Sequence, residues 1–365
     1  MITTRAAIAR DKGGDFSIEE VTVAPPRAHE VLVRLVATGV CHTDFLVRDQ
    51  VLPPALPAIL GHEGSGIVEQ IGDAVTTVSV GDRVVLSPSS CGACANCHSG
   101  RPMSCVSWGP LNLRGRRPDG STAYRDSTGA ELNGHFFGQS SFAGHVVAHH
   151  RNVVPLGARD VPLEIVGPLG CAMQTGAGAV LTVLRPGAGA TVAVIGAGAV
   201  GLAAVMAARL AGCATILAVD LHEARLALAG RLGATDALRA GDELAGRVVA
   251  ATGGGVDFVV DAVGSPETAR DALGMLRAGG TAVVAGSAGA GRTVTLEMTQ
   301  LMGRTVRGVI EGDCVPAVFI PQLLDLHLAG RFPFHELIRT YSFDEIGKAV
   351  EDSRSGVTVK PVLVF

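Results

Sequence analysis

The sequence predicts an α/β protein in which a doubly wound parallel sheet interrupts a second, mainly β domain. Three observations carry this prediction. From about residue 173, apolar strand-like runs alternate with helical segments, the signature of a parallel sheet covered on both faces. Before that point, short β-branched runs follow one another with no helical period between them. From residue 310 the pattern becomes mixed again and closes on the strand-like KPVLVF. At 365 residues the chain is too long for one ordinary core and fits two domains, or three. The expected division is a β-rich part at 1–172, the parallel-sheet domain at 173–309, and a return to the first domain at 310–365.

The N-terminal MITTRAAIARDKGGDFSIEEV lacks an apolar run of signal-peptide length and carries acids early, so a cytoplasmic protein is expected. Lys and Arg number 30 against 34 Asp and Glu, with no basic block, which argues against a nucleic-acid partner. In the first part EVLVRLVATGV (30–40), GSGIVEQIG (64–72) and GDRVVLS (81–87) read as strands of an antiparallel, irregular sheet. Residues 106–142 are rich in Gly, Arg, Ser and Asp and read as a surface excursion. His149 and His150 read as solvated strand-end residues, and the lone Cys213 and Cys314 as buried structural thiols.

In the second part TVAVIGAG, ATILAVDL, VDFVVDAVG and GGTAVVAGS read as strands, with helices at 223–234 and 267–280. Residues 190–208 are uncharged over a length that could cross a bilayer. They begin β-branched, break at glycines and end in a small-residue helical pattern, so a buried strand, turn and helix is expected and no membrane is implied. VIGAGAVG holds Gly196, Gly198 and Gly201 in G-x-G-x-x-G spacing between that strand and that helix. The first glycine allows the tight turn, the second lets a pyrophosphate approach the backbone, and the third lets helix and strand pack closely. The next strand ends in Asp220, whose carboxylate suits both adenine-ribose hydroxyls and repels a 2′-phosphate. A Rossmann domain that prefers NAD to NADP is predicted.

CGACANCHSGRPMSC places Cys91, Cys94, Cys97 and Cys105 at C-x2-C-x2-C-x7-C spacing. Four thiolates fill a tetrahedral zinc shell and leave no open position, so such a metal is structural. An iron–sulfur cluster and unligated thiols are the alternatives. A bacterial ferredoxin run differs in its last spacing and its proline. A catalytic zinc needs three protein ligands and one open position. Cys41, His62, Glu63 and Cys171, each in a glycine-flanked turn, are candidates. Their spacing alone does not decide between ligands and ordinary buried thiols or a surface histidine.

Together GVCHTD, GHEGSGIVEQIGDAV, GDRVV, CGACANCHSGRPMSC, GPLGC and VIGAGAVG stand in the order found in the zinc-dependent medium-chain alcohol dehydrogenases, which the chain resembles along essentially its whole length. RRPDGST, FFGQSSFA and PLGCAMQTGAGAVL are most similar to the aryl-alcohol, benzyl alcohol type, whose near relatives use geraniol or perillyl alcohol. The resemblance implies a GroES-like catalytic domain, NAD, two zinc ions per chain, and a homodimer or homotetramer acting on a small alcohol or aldehyde.

Position by position, the resemblance makes Cys41, His62 and Cys171 the catalytic-zinc ligands and Glu63 an inner acid beside them. Asp44 would orient His62, and Thr43 would pass on the alcohol proton. His42 and Lys360 would approach cofactor phosphate, Thr175 and Val200 would flank the nicotinamide, and Arg225 would lie near the adenosine ribose. Many members carry a histidine five residues after the first zinc cysteine, where this chain has Leu46. That leaves the solvent end of the proton relay unassigned.

Leu52, Trp108, Phe136 and Phe137 are the candidate walls of an apolar substrate slot. Two competing readings follow. Arg114, Arg116 and Arg117 could instead meet the carboxylate of a thiol adduct, as a thiol-dependent formaldehyde dehydrogenase requires. A catalytically silent NAD-binding scaffold would be expected to lack a ligand, and none is missing. A zinc-free quinone reductase of the same fold would lack the cysteine-rich lobe.

Overall fold

The computed structural model describes all 365 residues, and contacts divide them into two units. The first comprises Met1–Cys171, Val315–Asp325 and His335–Phe365, and the second Ala172–Cys314 with Leu326–Phe334.

The first unit opens with the hairpin β1 (Ile2–Ala9) and β2 (Phe16–Val23), then β3 (Glu30–Gly39) and the short helix α1 (His42–Arg48). There follow β4 (Ala58–Ile59), β5 (Gly64–Ile71) and β6 (Arg83–Leu86). The cysteine-rich lobe holds α2 (Ala95–His98) and leads into α3 (Trp108–Leu113). Next come β7 (Tyr124–Arg125), β8 (His145–His149), β9 (Val153–Pro155) and α4 (Leu163–Val166). The three strands expected at 30–40, 64–72 and 81–87 are β3, β5 and β6, and they pair antiparallel as read. β3 is central, with antiparallel β8 and β5 beside it. Its alternation buries Val31, Val33 and Leu35 with Val68, Val84 and Leu86 in one cluster.

Residues 106–142 are not a surface excursion. Tyr124, Phe136 and Phe142 are fully buried in the cluster that contains Ala6, Ile8 and Ile59. The polar composition misleads because three of the four arginines of this segment are paired with acids, Arg117 with Glu30 and both Arg116 and Arg125 with Glu131.

The second unit begins with α5 (Ala172–Gly178) and continues through β10 (Thr191–Ile195), α6 (Ala199–Leu210), β11 (Thr215–Asp220) and α7 (Glu223–Leu232). Then come β12 (Asp236–Arg239), α8 (Leu244–Thr252), β13 (Val256–Asp261), α9 (Pro266–Met275), β14 (Leu276–Val284) and β15 (Thr305–Gly308). The strands form one parallel sheet in the order β12-β11-β10-β13-β14-β15, the doubly wound Rossmann arrangement. The uncharged stretch 190–208 is β10, a turn and α6, and no single helix is long and apolar enough to cross a membrane. The helix expected to reach residue 280 stops at Met275, because Leu276 is extended and pairs with Val256. Cys213 is half-buried rather than buried, whereas Cys314 is buried.

The chain returns through α10 (Pro316–Leu328), β16 (Ile338–Ser342), α11 (Ile346–Arg354) and β17 (Lys360–Val364). β17 runs antiparallel to β3, with Val362 opposite Gly39, which carries Lys360 to the His62–Glu63 turn. Residues 310–314 do not join this return. Glu311 accepts hydrogen bonds from Gln174 and Thr175, and the Cys314 thiol lies 3.7 Å from the Gln174 carbonyl, which ties them to α5. Leu326–Phe334 likewise groups with the second unit.

Candidate active site

Cys41 caps the N-terminus of helix α1, and Asp44 in its first turn accepts the Cys41 backbone N–H at 3.0 Å, as a helix N-terminus favours. The same carboxylate reaches across to the next turn. Its Oδ1 accepts the Gly61 N–H and the His62 Nδ1–H, each at 3.0 Å. Gly61 has φ +81°, and a Cβ there would lie 2.4 Å from the Phe142 ring, so only glycine fits this turn. Donation from Nδ1 leaves Nε2 of His62 as the unprotonated nitrogen. That nitrogen is buried and has no hydrogen-bond partner.

Cys171 arrives on the Gly167–Gly170 turn, which glycine lets pass close to two strands. A Cβ at Gly167 would stand 2.2 Å from the Glu63 carbonyl, and one at Gly170 would stand 1.9 Å from that of Leu86. The ligand atoms of Cys41, His62, Glu63 and Cys171 consequently lie within 4.8 Å of one another. A hydrogen bond from the Cys171 thiol holds Cys41 well below the usual thiol range, towards the thiolate that metals bind. Two sulfurs and an orphaned imidazole nitrogen in one buried cluster fit a zinc ion.

Glu63 is fully buried and faces Lys360 rather than solvent. Lys360 Nζ donates to both Glu63 oxygens at 2.9 Å and to the Val40 carbonyl at 3.1 Å. Burial alone would lower Lys360, yet Glu63 and the Cys41 sulfur raise it well above its ordinary value. With three N–H groups used and 2% exposure, Lys360 is not free for a phosphate. The expectation for it is corrected: it is the counter-charge of Glu63. β3 approaches this carboxylate so closely that a Cβ at Gly39 would lie 1.9 Å from Glu63 Oε2.

Gln139, absent from the expectations, clamps the same turn. Its Nε2 donates to the His62 carbonyl at 3.0 Å and its Oε1 accepts the Gly64 N–H at 3.3 Å. The FFGQSS motif held it, but nothing local in the sequence ties Gln139 to residue 62. Thr43 lies beside the Cys41 sulfur at 3.7 Å, and His42 is exposed at the start of α1.

Of the candidate slot residues, Phe137 stacks on the His62 ring with centroids 4.4 Å apart, and Trp108 meets Phe137 edge-on at 5.7 Å. Phe136 and Phe137 are both buried, and Phe136 meets Phe137 edge-on at 4.8 Å and the His62 ring at 5.4 Å. Leu52 is half-buried against the same cluster.

In the cysteine lobe the four sulfurs of Cys91, Cys94, Cys97 and Cys105 lie within 4.8 Å of one another, and none forms a disulfide. Backbone N–H groups of Ala93 and Cys94 point at the Cys91 sulfur at 3.4 and 3.3 Å. Those of Cys97 and Val106 bring Cys94 down to about 6. A loop that places amides around four sulfurs suits a closed thiolate shell.

In the second unit Gly196 takes φ +90°, and a Cβ on Gly201 would sit 1.7 Å from the Gly196 carbonyl. A Cβ on Gly198 would meet nothing, which leaves open space over the start of α6, the cradle a pyrophosphate needs. Asp220 is buried, and its Oδ2 accepts the Ala197 N–H at 2.7 Å. Arg225 stands 4.0 Å from that carboxylate. A Cβ on Gly176 of α5 would lie 1.9 Å from the Val200 carbonyl, so α5 packs closely on α6. Thr175 donates to buried Glu311 at 3.2 Å.

A family model described as alcohol dehydrogenase GroES-like domain matches residues 27–158, and one described as zinc-binding dehydrogenase matches 199–328. A geraniol dehydrogenase of Castellaniella defragrans is 44% identical over 369 residues, covering 100% of this chain and 98% of its own. The chain is a zinc-dependent medium-chain alcohol dehydrogenase. The crystal structure of benzyl alcohol dehydrogenase from Acinetobacter calcoaceticus superposes on this dehydrogenase with a TM-score of 0.95 at 42% identity, covering 100% of both chains. An S-(hydroxymethyl)glutathione dehydrogenase of Komagataella pastoris is 34% identical, covering 100% of this chain and 98% of its own.

Proposed function

We propose that this alcohol dehydrogenase oxidises a primary aromatic or allylic alcohol to its aldehyde with NAD, reversibly. The observation that carries the reading is the Phe137 ring stacked on His62, an apolar aromatic wall directly beside the cluster of ligand atoms. A flat π-system gains from such a wall what a short aliphatic alcohol does not. Its relatives named for geraniol and benzyl alcohol support the same class.

Cys41, His62 and Cys171 hold the catalytic zinc in this reading, and the four lobe cysteines hold a structural one. Zinc, when bound, supplies Lewis acidity that lowers the pKa of a coordinated hydroxyl from about 15.7 towards about 7, and NAD supplies the hydride acceptor. Asp44 keeps the His62 proton on Nδ1, so that Nε2 is always the free nitrogen. Thr43 Oγ1, beside Cys41, takes the alcohol proton. Lys360 balances Glu63, so that this acid does not add an unpaired charge beside the ligands. The Gly196–Gly201 turn and the N-terminus of α6 receive the pyrophosphate. Asp220 and Arg225 receive the adenosine ribose, and Thr175 and Val200 flank the nicotinamide.

The formaldehyde reading relied on three arginines. Arg117 makes two bonds to Glu30, and Arg116 bonds Glu131 and Asn133, which leaves Arg114 alone for a carboxylate. The test is NADH formation at 340 nm with benzyl alcohol and with geraniol, against formaldehyde plus glutathione. Turnover of the aromatic or allylic alcohol, lost in Cys171→Ala with the lobe zinc retained, is expected. Turnover confined to formaldehyde plus glutathione would sink the reading.

A further inference from the structure

A cavity of about 480 Å³ in the first unit shares no residue with the Cys41–His62–Cys171 site. It is lined by Pro110 and Leu111 of α3, by Val147 and His149 of β8, and by the Ser89–Cys91 turn that opens the cysteine lobe. Its volume is that of a small-molecule pocket.

Four guanidinium groups also line it. Two are neutralised within the fold, Arg117 by Glu30 and Arg116 by Glu131. Arg114 and Arg151 form no ion pair. Arg114 is exposed, and Arg151 uses only its Nε, which donates to the Ser90 carbonyl at 3.2 Å. His135 is pushed down to about 3 by burial and then by Arg117, and His149 to about 3 by burial and then by Arg151. Both are therefore neutral, and two unpaired cations face an otherwise largely apolar chamber.

We infer that this cavity binds an organic carboxylate with an apolar body, held by Arg114 and Arg151. The guanidinium fork matches the two oxygens of a carboxylate. Pro110, Leu111 and Val147 would cover a ring or chain, a surface that a hydrated inorganic anion cannot use. An occupant would also tie down the lobe, since Arg151 holds Ser90 and packs over Gly92, whose Cβ position is 3.0 Å from Arg151 Nε.

The test is isothermal titration of the zinc-loaded, full-length enzyme with benzoate, beside acetate and inorganic phosphate. One benzoate site per chain is expected, with acetate weaker by roughly tenfold or more, a difference of about 1.4 kcal/mol. Arg114→Glu, at an exposed position without partners, and Arg151→Gln should each weaken benzoate by a similar factor while alcohol turnover is retained. Circular dichroism of Arg114→Glu guards against a folding defect. Absence of saturable binding at millimolar benzoate overturns the proposal. So does phosphate binding as tightly as benzoate, or benzoate that competes with the alcohol and binds Arg114→Glu unchanged.

Discussion

Asp44 and His62 are joined by a 3.0 Å hydrogen bond between two wholly buried side chains, and that bond decides which imidazole nitrogen is left for a metal. Asp44→Asn keeps the shape but can present an N–H to Nδ1 and so invite the wrong tautomer. Loss of such a partner typically costs 10–100-fold in metal affinity or activity. Dialysis of Asp44→Asn against a chelator should remove one zinc per chain and spare the lobe zinc, as read by mass spectrometry. Two zinc ions retained at full activity would refute this role.

Lys360 and Glu63 form a buried pair spanning nearly the whole chain. Removing one partner leaves a buried charge alone, at a cost of about 3–5 kcal/mol. Lys360→Met should therefore lower the urea midpoint sharply, and adding Glu63→Gln should recover most of the loss. Additive penalties in that double-mutant cycle would show that the two groups do not act together.

His135 is buried, and its Nε2 accepts the Ala123 N–H at 3.1 Å, a bond that only the neutral ring can make. Its folded-state pKa, about 3, lies below the unfolded value of about 6.5. Between those values the unfolded chain binds more protons, so stability rises with pH across the window. The contribution is complete above about pH 6.5 and is lost as pH falls towards 3, at up to about 1.4 kcal/mol per pH unit. Chemical denaturation at pH 6.5 and pH 5 measures the slope, and His135→Gln should flatten it.

Asp220 accepts N–H groups of Ala197 and His222, so it shapes the glycine turn in addition to the ribose role proposed for it. Asp220→Ala is expected to relax discrimination against NADP yet lower kcat/KM for NAD by roughly tenfold or more, since a charged hydrogen bond is worth about 1.5–3 kcal/mol. Unchanged NAD kinetics with improved NADP use would confine Asp220 to the ribose.

What could be read in advance follows the range over which the physics acts. β10, its glycine turn and α6 are contiguous, so their pattern showed in one short run. The lobe cysteines likewise sit within fifteen residues. Cys41, His62 and Cys171 carry no local signal, and only the order of motifs in related chains marked them. Lys360 lies 297 residues from Glu63, and no periodicity links them, so a cation near the end of the chain was assigned to phosphate. The 106–142 segment misled for another reason. Arg116 and Arg117 look solvated as long as Glu131 and Glu30 are not known to face them.

Gly39 and Glu63 are, in effect, inherited as one character. With the Cβ position 1.9 Å from the carboxylate oxygen, even alanine at 39 collides while a full-length glutamate occupies 63. A side chain at 39 is blocked until residue 63 shortens, so the permissive order is a shorter residue at 63 before any side chain at 39. A saturation library at codon 39 should therefore return glycine in the present background and open only on a shortened residue 63.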